Sequence, residues 1–289
     1  MRQPRRWAGC ALALAVAIGT MTDQSRERVV PQSGEYWILA GDFHVHGGPG
    51  DGTLLPWELR REARRAGLDV IGVTNHNTTY AARFGAWWSR YFTGPSPMII
   101  AGEEITSPDY HMVAMGITRT VSRRQSAASA IDAIHAQGGV AIAAHPGRKY
   151  WAGYDDRALA MLDGAEAANS TDPVALRDYA EFRRRARERN PDIAAIGSSD
   201  FHGWPVMARC RTYLFVRERS EAGVLEAIRA GRTVAQDDRG RLYGEPDLTR
   251  LVEASRPAGR SDENSTWRRV SVLLAWIGLL GLILVSARL

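Results

Sequence analysis

Gly41-Asp42-Phe43-His44-Val45-His46-Gly47-Gly48-Pro49-Gly50-Asp51-Gly52 follows the apolar run Tyr36 to Ala40, and its reading decides how the rest of the chain is read. The run has the pattern of a strand entering a core. In a strand, residues i and i+2 point to the same side, so His44 and His46 face one cavity. Two imidazoles at that spacing suit a divalent transition metal. The glycine-rich loop then supplies Asp51.

The chain holds seven histidines, and six of them sit just after an apolar run or beside a carboxylate. Besides His44 and His46 these are His76 in Val73-Thr74-Asn75-His76-Asn77, His111 in Tyr110-His111-Met112, His145 in Ala143-Ala144-His145-Pro146-Gly147-Arg148, and His202 in Gly197-Ser198-Ser199-Asp200-Phe201-His202-Gly203. Ala101-Gly102-Glu103-Glu104-Ile105-Thr106 adds a pair of glutamates. His135 alone reads as an ordinary helix residue. Burying so many titratable groups without a cation would be costly, and that cost favours a metal site over packing.

Strand-like segments are expected at 37–44, 69–74, 97–101, 111–117, 139–144, 163–168, 193–197 and 212–216. Helical ones are expected at 56–66, 78–91, 125–137, 156–161, 172–189 and 221–230. Pro56 and Gly67 bracket the first of these helices with the usual start and stop chemistry, and Gly138-Gly139 closes the third. The alternation predicts an α/β fold with a mostly parallel sheet, closed into a barrel. Candidate ligands gather at the carboxyl ends of strands, where barrel sites lie, except His111, which opens a strand.

At these motifs the chain, from about Gly41 to Tyr213, resembles the PHP (polymerase and histidinol phosphatase) superfamily of metal-dependent hydrolases. The resemblance implies a distorted barrel of seven strands and a cluster of two or three divalent ions, Zn, Mn or Fe. It implies nine ligands: His44, His46, Asp51, His76, Glu104, His111, His145, Asp200 and His202. Glu104 is the expected bridging carboxylate and Glu103 its rival. Strand alternation lets only one of them face the cavity, leaving the other solvated or salt-bridged. Where the family has T-D-H, this chain has Thr74-Asn75-His76, which predicts altered metal affinity because Asn75 lacks the charge that raises a histidine's basicity. Asp42 is expected to orient a histidine or cap the strand end. Asn169 and Ser170 are expected at the pocket wall or in a turn, and Asp237-Asp238 in a loop.

The activity implied is hydrolysis by metal-activated water, foremost of a phosphoester, with Arg148, Asp200 and His202 in the catalytic part. Arg148, just past His145, would meet an anionic oxygen. The rival is a carboxylic or carbamic ester. Residues 75–79 and 229–233 look similar to a PHP branch with aryl-carbamate hydrolases, and Trp151 and Trp204 would form an apolar wall. A membrane-tethered binding module without activity is the third reading.

Composition sets the outer limits. The chain has 289 residues, 45% hydrophobic and 24% charged, enough for one barrel-sized domain. Its net charge is +5, and Lys149 is its only lysine. The arginine runs alternate with glutamate, as in Glu181 to Glu188, so they read as solvated faces and no nucleic-acid partner is expected. With cysteine only at Cys10 and Cys210, the folded part has no disulfide framework.

Both ends read as membrane segments. Residues 1–22 carry arginines at positions 2, 5 and 6 and then an apolar core, with Ala15-Val16-Ala17 as a cleavage site. A cleaved signal peptide and a retained anchor are both open. The domain is expected at 35–252, a polar linker at 253–267 and a transmembrane helix at 268–288, whose uncharged run Val270 to Ala287 would reach about 27 Å. The leader places the domain on the extracytoplasmic, periplasmic side of an inner membrane, although Arg268-Arg269 argues the other way. The partners expected are a small-molecule ester, phosphorylated in the foremost reading, and the lipid bilayer.

Overall fold

The structure, a computed structural model, describes residues 2–21, 28–93, 96–171, 175–203, 206–255 and 265–286. In chain order the elements are α1 (Arg2–Met21), β1 (Gln32–Ser33), β2 (Tyr36–Val45), α2 (Pro56–Arg65), β3 (Val70–Val73), α3 (Tyr80–Trp88), β4 (Met98–Thr106), β5 (His111–Met115), α4 (Ala127–His135) and β6 (Val140–Ala143). They continue with α5 (Asp156–Met161), β7 (Gly164–Asn169), α6 (Leu176–Arg187), β8 (Ala194–Ser198), β9 (Arg211–Val216), α7 (Glu221–Arg229), β10 (Thr233–Gln236), β11 (Leu242–Gly244), α8 (Pro246–Ser255) and α9 (Ser265–Ser286). Local chemistry fixes many boundaries. Ser126, Asp155 and Ser220 accept backbone N–H bonds at the starts of α4, α5 and α7. Pro56 opens α2, and Gly67 follows its end at φ +70°.

The strands pair in the order β11-β10-β9-β2-β3-β4-β5-β6-β7-β8. β2–β3–β4 and β6–β7–β8 are parallel, whereas β5 is antiparallel to both its neighbours. The expectation of a mostly parallel sheet is corrected here. Only Ser107 to Tyr110 join β4 to β5, too few residues for a crossover, so the two strands form a hairpin.

β2 to β8 are the staves of a nearly closed, distorted barrel of the α/β class, and β9 occupies the seam beside β2. The seam is sealed by one hydroxyl. Thr212 Oγ1 accepts from Gly197 N and donates to Gly197 O, each at 2.9 Å. A Cβ at Gly197 would stand 2.3 Å from the Arg211 carbonyl oxygen, so the approach requires glycine. At the upper rim, His46 N donates to Phe201 O at 2.8 Å and ties β2 to the loop after β8.

The interior is filled by Leu39, Phe43, Ile100, Val113, Met115, Ile142, Ile196 and Leu214, one buried cluster drawn from the barrel strands. Val224, Leu225 and Ile228 of α7 belong to the same cluster. Leu39 and Phe43 point inward from odd positions, yet the site uses even ones. A register irregularity between Asp42 and Val45 changes the parity and turns His44 and His46 toward the cavity.

Several boundaries differ from the sequence expectation. The domain begins before residue 35: the buried Arg28 pairs with Asp69 and donates to Ile38 O, and β1 pairs with β2. β10, β11 and α8 extend the fold to Ser255, so Glu253 to Ser255 end a helix and are not linker. Residues 256–264, the middle of the expected linker, lie outside the described residues, as does the start of the helix expected at 172. Asp237 does turn the chain, but it is buried and accepts from Arg241 Nε at 2.6 Å and Tyr243 OH at 2.9 Å, which locks the β10–β11 hairpin.

α9 is long and apolar enough to cross a membrane, and only 17% of its apolar window is buried, unlike a core helix. Its first half rests on α2, where Arg268 pairs with Glu62 and Ser271 meets Glu58 at 3.1 Å.

Replacing Thr212 with valine keeps the shape and leaves the Gly197 N–H and C=O buried without that partner. The expected loss is about 1–3 kcal/mol. It would be read from the denaturant midpoint of the full chain in detergent, with Thr118→Val at an exposed position as the silent control.

Candidate metal centre

The carboxylate of Glu104 lies at the middle of the upper end of the barrel. Its Oε1 is 2.8 Å from His111 Nδ1 and 3.1 Å from His145 Nε2. Its Oε2 is 2.7 Å from His76 Nδ1, 3.3 Å from His44 Nε2 and 3.6 Å from His46 Nε2. Asp200 Oδ1 closes the inner side, 3.3 Å from both His44 Nε2 and His46 Nε2. Asp51 lies at the mouth, 3.0 Å from His46 and about as near to His76 and His202, at 3.4 and 3.5 Å. All nine expected donors thus meet in one cluster. They fall into four overlapping groups, each compact enough to surround one ion: His46, Asp51, His76, His202; His44, His46, Glu104; His44, His145, Asp200; and Glu104, His111, His145.

The donor set fits a cation on electrostatic grounds. His44 Nε2, His46 Nε2, Glu104 Oε2 and Asp200 Oδ1 are buried and make no hydrogen bond. His44 Nδ1 is 2.9 Å from Glu166 Oε1, so the ring's proton belongs there and the Nε2 lone pair points into the cavity. Glu104 and Asp200 contribute further lone pairs to the same space. A region of lone pairs with no donor calls for a positive ion.

The proton equilibria point the same way. Burial opposes charge on His44, but the carboxylates of Asp200, Glu104 and Glu166 override it and hold the imidazole well above its ordinary value. Against the same burial, His44 and its neighbours push Glu104 well below the carboxylate range, and Asp200 falls likewise. The field therefore favours positive charge at the centre, whether protons or metal supply it. His145 and Asp200 also hold left-handed backbones, φ +26° and +52°, a conformation rare for side-chain-bearing residues and clustered here at the donors.

Glu166 was not foreseen, and it is the main support of the inner donors. It is fully buried on β7, bonded to His44, to His145 N at 2.7 Å and to Asn169 Nδ2 at 2.7 Å. The signal was a lone charge in the otherwise small and apolar Gly164-Ala165-Glu166-Ala167-Ala168. Asn169 therefore stands behind the site, and Ser170 accepts from Cys210 N in a turn. Tyr150, also unforeseen, stacks on His111 with ring centroids 4.4 Å apart.

Other expectations change. Arg148 is not brought into the cluster: its guanidinium is 67% exposed, bonded to Asp178 at 3.0 Å and laid over Trp151. Trp151 packs on the core and donates to Pro146 O, so it forms no wall of the site, and Trp204 lies outside the described residues. Glu103 faces away from the cavity, neither solvated nor salt-bridged. It is buried, accepts from Val121 N at 2.5 Å, and burial raises its carboxyl to about 7. Asp42 touches no histidine ring: it holds Ser199 N, Ser199 Oγ and Ala208 N, and burial raises it to about 6. Asn75 serves the glycine loop, donating to Gly47 O at 2.6 Å and to Asp51 Oδ1 at 2.7 Å.

With this geometry established, known proteins can be compared. A crystal structure of a two-domain protein from Bacteroides vulgatus, containing a predicted PHP-like metal-dependent phosphoesterase, superposes with a TM-score of 0.64. The alignment has 23% identity and covers 84% of this chain and 77% of that one. The chain has the PHP fold. An uncharacterized protein of Methanocaldococcus jannaschii is 26% identical to this chain over 144 residues, 46% of this chain and 82% of that protein. No protein-family model matches the chain.

Glu166→Gln keeps the shape of the support but removes its charge, and metal affinity is expected to fall about 10- to 100-fold with little change in the far-ultraviolet spectrum. Chelator competition on the full chain measures it. Glu103→Gln copies the protonated carboxyl. A carboxyl raised from 4.5 to about 7 stabilises the fold below pH 4.5 and loses that contribution as pH rises through 7. The metal-free glutamine variant should match the parent at pH 4 and exceed it by about 3 kcal/mol at pH 8.

Proposed function

We propose that this chain is a metal-dependent phosphoesterase whose nine-donor cluster holds two or three divalent ions, Zn, Mn or Fe, and that α9 keeps it at a membrane. The observation that carries the reading is the convergence of four buried, hydrogen-bond-free donor atoms on one point. Divalent ions held by these donors would supply a water of lowered pKa and positive charge for the phosphoryl oxygens.

The chain's own residues divide that work by depth. His44, His46 and Glu104 are fully buried, and Glu166 fixes the His44 tautomer, so the inner donors are preorganised and closed to water. His76, Asp51 and His202 are each about a third exposed at the side-chain level and form the mouth through which a substrate enters. His46 and His202 stack with centroids 3.8 Å apart, which keeps the mouth imidazole over the inner one. Because Asp178 holds Arg148 away from the donors, neutralising the phosphoryl charge would fall to ions held by Glu104, Asp200 and the histidines. The carbamic or carboxylic ester reading loses Trp151, one of its two expected wall residues, which packs against the core. The arginine-led N-terminus supports extracytoplasmic placement of the domain, against the opposite signal of Arg268-Arg269.

The deciding measurement is metal content of the full chain by elemental analysis, paired with hydrolysis of p-nitrophenyl phosphate, bis-p-nitrophenyl phosphate, p-nitrophenyl acetate and single-stranded DNA. Two or more equivalents of metal are expected, with turnover of a phosphoester lowered at least about 100-fold by His145→Ala. Turnover of the acetate alone would overturn the phosphoesterase reading, and less than one equivalent would overturn the metal centre.

A further inference from the structure

The apolar N-terminal segment has a partner. α1 lies antiparallel along α9, with Ala15 beside Ser271 and Ala8 and Leu12 beside Gly278 and Gly281. The Ser271 hydroxyl donates to the Ala15 carbonyl oxygen at 2.9 Å inside the contact, where both residues are buried. A Cβ at Gly278 would meet Leu12 Cγ at 2.6 Å and the Ala8 carbonyl oxygen at 2.8 Å, and one at Gly281 would meet Ala8 Cβ at 3.0 Å. The two glycines are three apart, on one face of α9, and form the notch into which α1 fits. In lipid, where the hydrophobic effect does not drive helices together, close approach through small residues is what does.

The outward side of the pair is apolar. Leu273, Ile277, Leu280 and Leu284 are exposed at the spacing of a single helix face, and Trp7 and Leu14 of α1 are exposed as well. No charged residue occurs between Trp7 and Met21 or between Val270 and Ser286. A leader removed after export would leave Gly278 and Gly281 facing nothing and strip Ser271 of a buried partner.

We infer that α1 is retained in the working protein as the fixed partner of α9, the two forming an antiparallel membrane hairpin. The arginine-bearing start of α1 then lies at the same end of the hairpin as Ser286. This inference concerns the anchor only and stands or falls apart from the metal chemistry.

The test uses the full chain with Cys10→Ser, purified from membranes in detergent, carrying Ala8→Cys with Gly281→Cys. Disulfides need Cβ atoms about 3.8 Å apart, and this pair, at 3.0 Å, meets that by opening about 0.8 Å. Under mild oxidant the pair is expected to close a disulfide within one chain, seen as a mobility shift reversed by reductant. Ala8→Cys with Leu284→Cys, aimed at the outer face, is expected to give none. The intact mass of the unsubstituted chain is expected to include residues 1–17. A mass that begins after Ala17 overturns the inference, as does the absence of the disulfide. A disulfide joining two chains also overturns it, assigning the helix contact to a dimer.

Discussion

Five imidazoles converge on the single carboxylate of Glu104, and much of the barrel's upper end is arranged to keep that group buried and charged. A carboxylate with no exposed surface is tolerated only where positive charge or strong donors surround it. Here they come from four separate stretches of chain: the end of β2, the loop after β3, the start of β5 and the loop after β6. Asp200 and Glu166 then oppose any excess of positive charge on His44. The centre is balanced only when every one of these stretches ends at the same height, and closure of the barrel sets that height. Thr212 and Gly197 at the seam are therefore part of the same design as the donors.

The departures from regular barrel geometry serve the centre. The β4–β5 hairpin replaces a crossover, and so places His111 directly opposite Thr106, two residues beyond Glu104 on the partner strand. A parallel strand at that place would have delivered its carboxyl end, and another residue, to the upper rim. The parity change in β2 does similar work, since a regular strand with Phe43 in the core would send His44 to the outer face. His145 and Asp200 then accept left-handed backbones, a local cost borne by a rigid surround.

Much of this was legible in the sequence. The eight strands from Tyr36 to Val216 and the helices between them follow from periodicity, and the nine donors from the resemblance that the H-x-H spacing and the order of the motifs carry. What was not legible depended on packing. Glu166 and Tyr150 act on the donors from neighbouring elements, a proximity that no local spacing encodes. Arg148 follows His145 by three residues, yet the short helical turn beginning there carries its side chain outward to Asp178. β10 is only four residues long and β11 three, too short for period-two alternation to register, and only the end of α8, Glu253 to Ser255, was read as the start of a linker.

Asn75 shows how such a departure is resolved once its neighbours are known. Set against T-D-H, the loss of a charge reads as a weakened support for a histidine. In place, the side chain faces Asp51 and the peptide of Gly47, not an imidazole. Its amide group donates to Asp51 Oδ1 and to Gly47 O, while its carbonyl accepts from Gly47 N at 3.2 Å. A carboxylate there would have no proton to give to either oxygen and would repel Asp51 across 2.7 Å. Asp51 is drawn far below the ordinary carboxylate range, with His202 and His46 overcoming the cost of its burial, so it stays ionised and needs a donor beside it. The amide is thus the residue that lets the glycine loop close over the mouth with its carboxylate charged.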